Sequence, residues 1–470
     1  MDPINSRKQS IKVIASEAIM VIAVIITVII LALLVSGYWL NSNFEVERGG
    51  MLQVSSLPTG ANVEIDGQAS SWLERTNSSK ILSSGEHSIV LTKDGYDSWS
   101  KVINIAEGLL YRLHYPRLFL NDRTLEPLFD IANYTSASVS SDHGAILLMN
   151  GTTEWAYLNL DSDKPSLRKL DISKLFSTTS VAEDAKVGLF TGHIDQIDWD
   201  FDASHALIKA TDDNASEWVL LDVNNVDKSV NLTKEFGANF SRIEILDNNS
   251  NHLLAVQNHN LHQIDLPGRL ISAVLVDNII DYDHYNNEVV FSAYTQESSD
   301  EKSYYVGYFK VGDNKPDTLT STTLPAKVAI SKFYDSKYIT ILEGQTVFVH
   351  QKDAFDEALA KYEIGFSPDL VEVGHDGEFL LFVRDHEIAT LDMEANLVRE
   401  WDIERPFGWL DNDMLYAVSD GKLIVYDFDG LNRRVIADNV SSRFPVAITV
   451  DKWLYYFSDS RLMREWLIPR

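Results

Sequence analysis

Hydrophobic and polar positions divide this chain into three stretches with different periods. From Ala18 to Leu40 the sequence AIMVIAVIITVIILALLVSGYWL carries no charge. No polar face interrupts it, which argues against a helix buried in a soluble core. A helix of that length, rising about 1.5 Å per residue, measures about 34 Å, enough for a hydrocarbon core about 30 Å thick. The length and the bulky Tyr38-Trp39-Leu40 at its end disfavour a cleaved signal segment. The pattern therefore predicts one membrane-spanning helix over 18–40. Arg7, Lys8 and Lys12 precede it, and Glu45, Glu47 and Arg48 follow. That asymmetry predicts a single-pass protein of the cytoplasmic membrane, with residues 1–17 inside and the bulk of the chain extracytoplasmic. Residues 41–49 read as a polar linker.

The period then changes to two. Leu52 and Val54, then Val63 and Ile65, alternate with polar neighbours, the signature of half-buried strands. Pro58-Thr59-Gly60, Asp66-Gly67 and Asp94-Gly95 punctuate these strands as turns. Pro58-x-Gly60-Ala61, Val63-x-Ile65-Asp66-Gly67, Gly85-x-His87 and Lys93-x-Gly95-Tyr96 together resemble the PEGA domain. The resemblance covers residues 50–118 and implies a small β-sandwich-like module, of a kind found beside membrane anchors in bacterial envelope proteins. It implies no catalytic residue. Where the family usually has a Gly-Thr-Pro-like segment after the Asp-Gly turn, this chain has Trp72-Leu73-Glu74-Arg75-Thr76.

Residues 119–470 repeat one pattern. A strand ends in an Asp- or Asn-rich turn, a run of four to six apolar residues follows, and a polar turn leads to a third strand. The runs include AILLM (145–149), HLLAV (252–256), FLLFV (379–383) and WLYYF (453–457). Eight such units fit, with about 44 residues each, the length of four-stranded propeller blades; seven blades is the alternative, because 162–196 could disguise a boundary. The third strand of the last unit is also the last strand of the sequence. Residues 124–131 are therefore expected to pair with 461–468 and close the ring. A short helix is expected over 352–363, with Phe355, Leu359 and Tyr362 on one face. The segment 426–439 resembles the Asp-Gly connection of TolB-like propellers. The fold class expected is mainly β.

Composition narrows the chemistry. The chain holds 40 Lys and Arg against 69 Asp and Glu, and the acid lies almost wholly beyond residue 40. Such a surface repels nucleic acid, so no nucleic-acid partner is expected. There is no cysteine, which excludes disulfides and thiolate metal sites. No metalloprotease, nucleophile-elbow or phosphate-loop motif occurs, so no catalytic residue, cofactor or metal is assigned. His252, His259 and His262 are close in sequence, but their spacing is read as turn histidines. The acidic turns at Asp200, Asp411 and Asp427 invite a calcium reading; the loop opening at Asp427 lacks the twelfth-position Glu of an EF-hand, and Asp, Asn and Gly at such places read as turn formers.

These features point to a membrane-tethered binding or scaffolding protein of the cell envelope, anchored in lipid by residues 18–40. Its propeller surface would face a protein or glycan ligand. The alternative is an envelope polysaccharide- or peptide-processing enzyme whose carboxylates converge in the propeller channel.

Overall fold

The computed structural model describes the chain except for residues 1–19, 33–37, 41–45, 70–74, 161–162, 177, 180–187, 190–191, 201, 213–214, 247–248, 297–300, 314, 375, 450–451 and 468–470. It divides into two compact units, Met1–Asp122 and Arg123–Arg470.

In the first unit, residues 20–32 are helical and exposed throughout, from Met20 at 64% to Ile30 at 51%. Among the described residues no helix is long and apolar enough to cross a membrane. Ala18 and residues 33–37 lie outside the described residues. The helix expected as far as Leu40 does not reach it. Tyr38–Leu40 is strand β1, antiparallel to Arg48–Val46 of strand β2 (Val46–Val54). Tyr and Trp favour the pleated conformation, and the Arg48 guanidinium covers the Tyr38 ring at 5.7 Å.

Two four-stranded sheets complete this unit. In one, β2 lies between β5 (Ser78–Ser83) and β8 (Leu110–Leu113). The other runs in the order β4 (Gln68–Ala69), β3 (Asn62–Ile65), β6 (Gly85–Thr92), β7 (Trp99–Ile105). The period-two positions Leu52, Val54, Val63, Ile65, Ile89, Leu91, Trp99 and Ile103 are all buried. Each such side chain contributes about 1.5–3 kcal/mol. Asp66 (φ 53°) and Gly67 (φ 73°) turn β3 into β4, the pair of positive φ values that a two-residue hairpin turn requires. Gly50 is required for a different reason: a Cβ there would lie 2.5 Å from the Ala106 carbonyl oxygen and 2.8 Å from that of Leu109.

The second unit contains eight four-stranded sheets, here I to VIII, each antiparallel and in chain order. Their first strands are Ser136–Val139, His193–Trp199, Arg242–Ile245, Ile279–Tyr285, Ala326–Phe333, Leu370–Val373, Phe407–Trp409 and Ala447–Thr449. Sheet VIII takes its fourth strand from the start of the unit. Strand β9 (Leu125–Asp130) pairs with Arg461–Trp466, from Arg461 opposite Asp130 to Glu465 opposite Leu125. The pairing expected from the sequence is thus present.

The continuous apolar runs follow from burial on both faces. In sheet II, Ile208 packs with Leu147 and Trp155 of sheet I, while its neighbour Leu207 packs with Leu253 and Ala255 of sheet III. Sheet I also packs on sheet VIII, where Ile146 and Leu148 meet Trp453, Tyr455 and Phe457.

The helix expected over 352–363 is absent. Lys352–Ala354 is a single 3-10 turn, and Ala360–Glu363 is a strand paired with Thr346–Val349. Sheet V needs that outer strand, and its ladder outweighs the local helical period. Phe355 stacks on His350, with ring centroids 4.2 Å apart, while Leu359 stays 59% exposed.

Candidate functional site

The first strands of neighbouring sheets are bonded to one another, which makes them the inner strands of the second unit. Trp199 Nε1 of sheet II donates to Ser138 Oγ of sheet I at 3.0 Å. The backbone N–H groups of Val328 and Ile330 in sheet V donate to Asp281 and Asp283 in sheet IV at 3.1 and 2.8 Å. Charged side chains recur at alternate positions of these inner strands, among sheets that are otherwise apolar.

Arg242 of sheet III is the hub. Its Nε donates to Glu244 Oε1 at 2.7 Å, Nη1 to Asp281 Oδ1 at 2.8 Å, and Nη2 to the Tyr282 carbonyl oxygen at 2.9 Å. Its guanidinium also lies 4.1 Å from the centre of the Tyr282 ring. His284 Nε2 approaches Glu244 Oε2 at 3.7 Å. From sheet II, Asp198 joins the cluster and accepts from Gln196 Nε2 at 2.6 Å. Two carboxylates, Glu244 and Asp281, therefore bind one guanidinium directly, and a third, Asp198, lies near enough to feel its charge. The Tyr282 hydroxyl, in a residue only 1% exposed, has no hydrogen-bond partner among the described residues.

These carboxylates keep some contact with solvent but are crowded by protein on their flanks. Burial pushes Asp283 up to about 7, against the stabilising Ile330 N–H, and Glu244 raises it further. Burial pushes Asp198 up to about 6, with Glu244 adding to the rise and the Gln196 hydrogen bond and Arg242 opposing it. Glu244 is raised by burial too, and Arg242 limits the rise. Burial disfavours the charge on Arg242, but Glu244 and Asp281 outweigh it and hold the guanidinium protonated. On the inner strand of sheet VI, burial raises Glu372. Carboxyl groups that hold a proton near neutral pH can donate it, and the same groups when ionised attract cations.

Sequence reasoning did not single out Asp198, Arg242, Glu244, Asp281 or Asp283. Their signal was available: R-I-E at 242–244 and D-Y-D at 281–283 alternate charge with apolar residues at the opening of a repeat.

The residues singled out in the first unit serve its turns. Pro58 opens the loop whose Gly60 and Ala61 N–H groups both donate to Thr76 Oγ1, at 2.9 and 3.0 Å. Thr76 is the last residue of the segment that departs from the family pattern, and it caps that loop. Lys93 Nζ donates to the Thr59 carbonyl oxygen at 2.7 Å. His87 Nδ1 contacts Asp66 Oδ2 at 2.7 Å, and Asp66 Oδ1 accepts from the Ser88 N–H at 2.9 Å. The His87 hydrogen bond is the main cause holding Asp66 below the usual carboxylate range. Gly85 begins β6; Gly95 and Tyr96 form the turn after it, where the Tyr96 N–H donates to the Lys93 carbonyl oxygen. No constellation for chemistry arises from this set.

The three histidines go separate ways. His252 approaches Asp265 at 3.8 Å, His262 contacts the Ser272 carbonyl oxygen at 3.0 Å, and His259 sits in a turn at φ 64°. The acidic turns are held by their own hydrogen bonds. Asp200 accepts from the His205 N–H and from Ser204 Oγ, Asp411 from the N–H groups of Asp413 and Met414, and Asp427 from Asn432 Nδ2.

Comparison with known proteins bears on the two units differently. Residues 50–116 match the PEGA domain family. No curated protein matches the sequence. Among solved structures, the chain is similar to the Dos1 propeller, with 11% identity over 73% of this chain and 96% of that one, at a TM-score of 0.44. It is also similar to the Cps50 (Swd1) β-propeller domain of Myceliophteria thermophila, with 9% identity over 74% and 100% and a TM-score of 0.40. An oligogalacturonate lyase in complex with manganese shows 12% identity over 74% and 98%, again at 0.40.

Proposed function

We propose that this protein is a binding or scaffolding protein of the cell envelope, tethered to the cytoplasmic membrane with both β units outside it. Its eight sheets are read as an eight-bladed propeller closed by β9, a form that removes exposed sheet edges. The anchor is the N-terminal helix. Residues 20–32 carry their Val, Ile and Leu side chains half exposed on every side, an arrangement costly in water and favourable in lipid. Thr27 Oγ1 donates to the Ala23 carbonyl oxygen at 2.8 Å, so its one hydroxyl is already satisfied there.

The ligand proposed is a basic segment of an envelope protein, entering along the inner strands. This rests above all on the excess of carboxylates at Arg242, where Glu244 and Asp281 bind the guanidinium and Asp198 lies nearby. A lysine or arginine side chain arriving there would find more carboxylates than Arg242 alone neutralises. The test is titration of the full chain in nanodiscs with a labelled Lys/Arg-rich peptide. Binding should weaken about tenfold in Glu244→Gln, the loss of about 1.4 kcal/mol expected for one charge-assisted contact. Equal affinity for a neutral glycan or an acidic peptide overturns this reading.

One observation favours the processing alternative. Burial raises Asp198 to about 6 and Asp283 to about 7, which brings Asp283 into the range a general acid needs. That reading requires turnover of an envelope polymer by the full chain, lost in Asp283→Asn with binding intact.

A further inference from the structure

The first unit carries an apolar strip with no partner among the described residues of that unit. On the outward face of the β5–β2–β8 sheet, Ile81 pairs with Met51 and Met51 with Leu110, one residue from each strand in a single row. Met51 is 42% exposed, Leu110 40% and Leu109, at the tip of the β7–β8 loop, 64%. Their neighbours along β2, Leu52 and Val54, point into the sandwich and are buried. A solvated sheet face is normally polar at these positions, as it is one row on, where Gln53 pairs with Arg112.

The position of this strip relative to residues 20–32 says what covers it. Residue 32 is six residues before Tyr38, a reach of at most about 21 Å. Tyr38 pairs with Arg48, and Met51 lies three residues further along β2, about 10 Å away. The strip is therefore leashed close to the end of the apolar helix. On the opposite face of β2 from this row, the Tyr38 ring lies under the Arg48 guanidinium, with Arg48 in turn 3.7 Å from Glu107. Charge separates the two units in the same sense. Residues 46–118 hold 7 basic against 8 acidic residues, while 119–470 hold 30 against 58. The acid that phosphate headgroups would repel sits in the other unit.

We propose that this face of the PEGA-like unit, led by Leu109 and the row Ile81–Met51–Leu110, rests on the lipid surface of the membrane that holds the N-terminal helix. The contact rests on the anchoring reading above. It fixes the module against the bilayer instead of leaving it on a free tether. Lipid is favoured over a second copy because the strip is small, lies within reach of the helix end, and belongs to a module without excess charge.

The natural absence of cysteine makes the test direct. Single-cysteine variants I26C, L109C and V102C of the full chain are labelled with a nitroxide and reconstituted into phosphatidylcholine vesicles containing phosphatidylglycerol. Collision with oxygen, which concentrates in lipid, is compared with collision with a water-soluble nickel chelate. Val102, 56% exposed on β7 of the other sheet, reports the aqueous side. Expected is oxygen-favoured collision at 26 and 109 and nickel-favoured collision at 102. Nickel-favoured collision at 109 with oxygen-favoured collision at 26 overturns the surface contact and leaves the anchor standing. Nickel-favoured collision at 26 overturns the anchor and the contact with it. Dipolar broadening between labels at 109 assigns the strip to a second copy and also overturns the proposal.

Discussion

Arg464 Nη2 donates to Glu126 Oε2 at 2.6 Å, a bond between residues 338 positions apart. The same guanidinium donates through Nη1 to the Asp163 carbonyl oxygen at 2.9 Å, in the chain that follows sheet I's third strand. Arg464 is 6% exposed and flanked by Trp453 and Trp466. One side chain thus joins strand β9, sheet VIII and sheet I. Arg464→Met keeps the packing and removes the charge; with Glu126 half exposed it should cost about 1–2 kcal/mol, the loss of charge-assisted hydrogen bonds at a partly solvated pair. Calorimetry of the full chain should show the second unit melting several degrees lower. An unchanged melting profile would remove Arg464 from the closure.

The inner carboxylates give a pH dependence of defined sign. Asp198 and Asp283 have folded-state values of about 6 and about 7, above the ordinary value of an unfolded Asp near 3.8. Between those limits the folded chain holds protons that the unfolded chain has released. Their contribution to stability is full below the unfolded value and is lost as pH rises through 6 to 7. Asp283→Asn keeps an acceptor for the Ile330 N–H and removes the titration. The variant should melt a few degrees above the parent at pH 8, with the gap closing by pH 5. A gap that widens toward acid would contradict the assignment.

Arg242 offsets its carboxylate neighbours, so its loss should be felt locally and strongly. Arg242→Leu leaves Glu244 and Asp281 crowded without a counter-charge, a loss of about 2 kcal/mol once the partial exposure of the guanidinium is allowed for. Arg242→Lys should recover only part of it, because an ammonium cannot reach Glu244, Asp281 and the Tyr282 carbonyl at once. Chemical denaturation of the three proteins should rank them parent, Lys, Leu.

Gly50→Ala tests the packing of the small unit. The added Cβ would press on the Ala106 and Leu109 carbonyl oxygens, and backbone does not give way as a side-chain end does. A loss of about 2 kcal/mol or more is expected, with hydrogen exchange accelerated in β2 and β8 and unaffected in sheets I to VIII. Protection that stays unchanged in β8 would show that the loop yields without cost.

The architecture was largely legible because its signals are local and repeated. Period-two alternation at Leu52, Val54, Val63 and Ile65 marks a sandwich, and a run such as HLLAV marks a strand with both faces covered. The inner cluster was not legible, because its members come from three successive repeats and only the packing of neighbouring sheets brings Asp198, Arg242 and Asp281 near one another. The segment 352–363 misled for the opposite reason. Its helical spacing is real, but Ala360–Glu363 is claimed by the ladder with Thr346–Val349, and tertiary pairing outweighs a weak local preference. Tyr38–Leu40 misled likewise, since continuity of apolar character does not distinguish the end of a helix from the start of a strand.

Strand β9 leaves the ribosome first in its unit and finds its partner last. Asp130 lies opposite Arg461, so at about 5–20 residues per second the strand waits roughly 15–65 s for a mate. An unsatisfied edge over that interval invites stray pairing between neighbouring nascent chains. Strand β9 is guarded against it by its own residues, since Pro127 offers no N–H and Glu126 and Asp130 repel a like strand. The strand that completes sheet VIII is thus a poor template for anything else while synthesis continues.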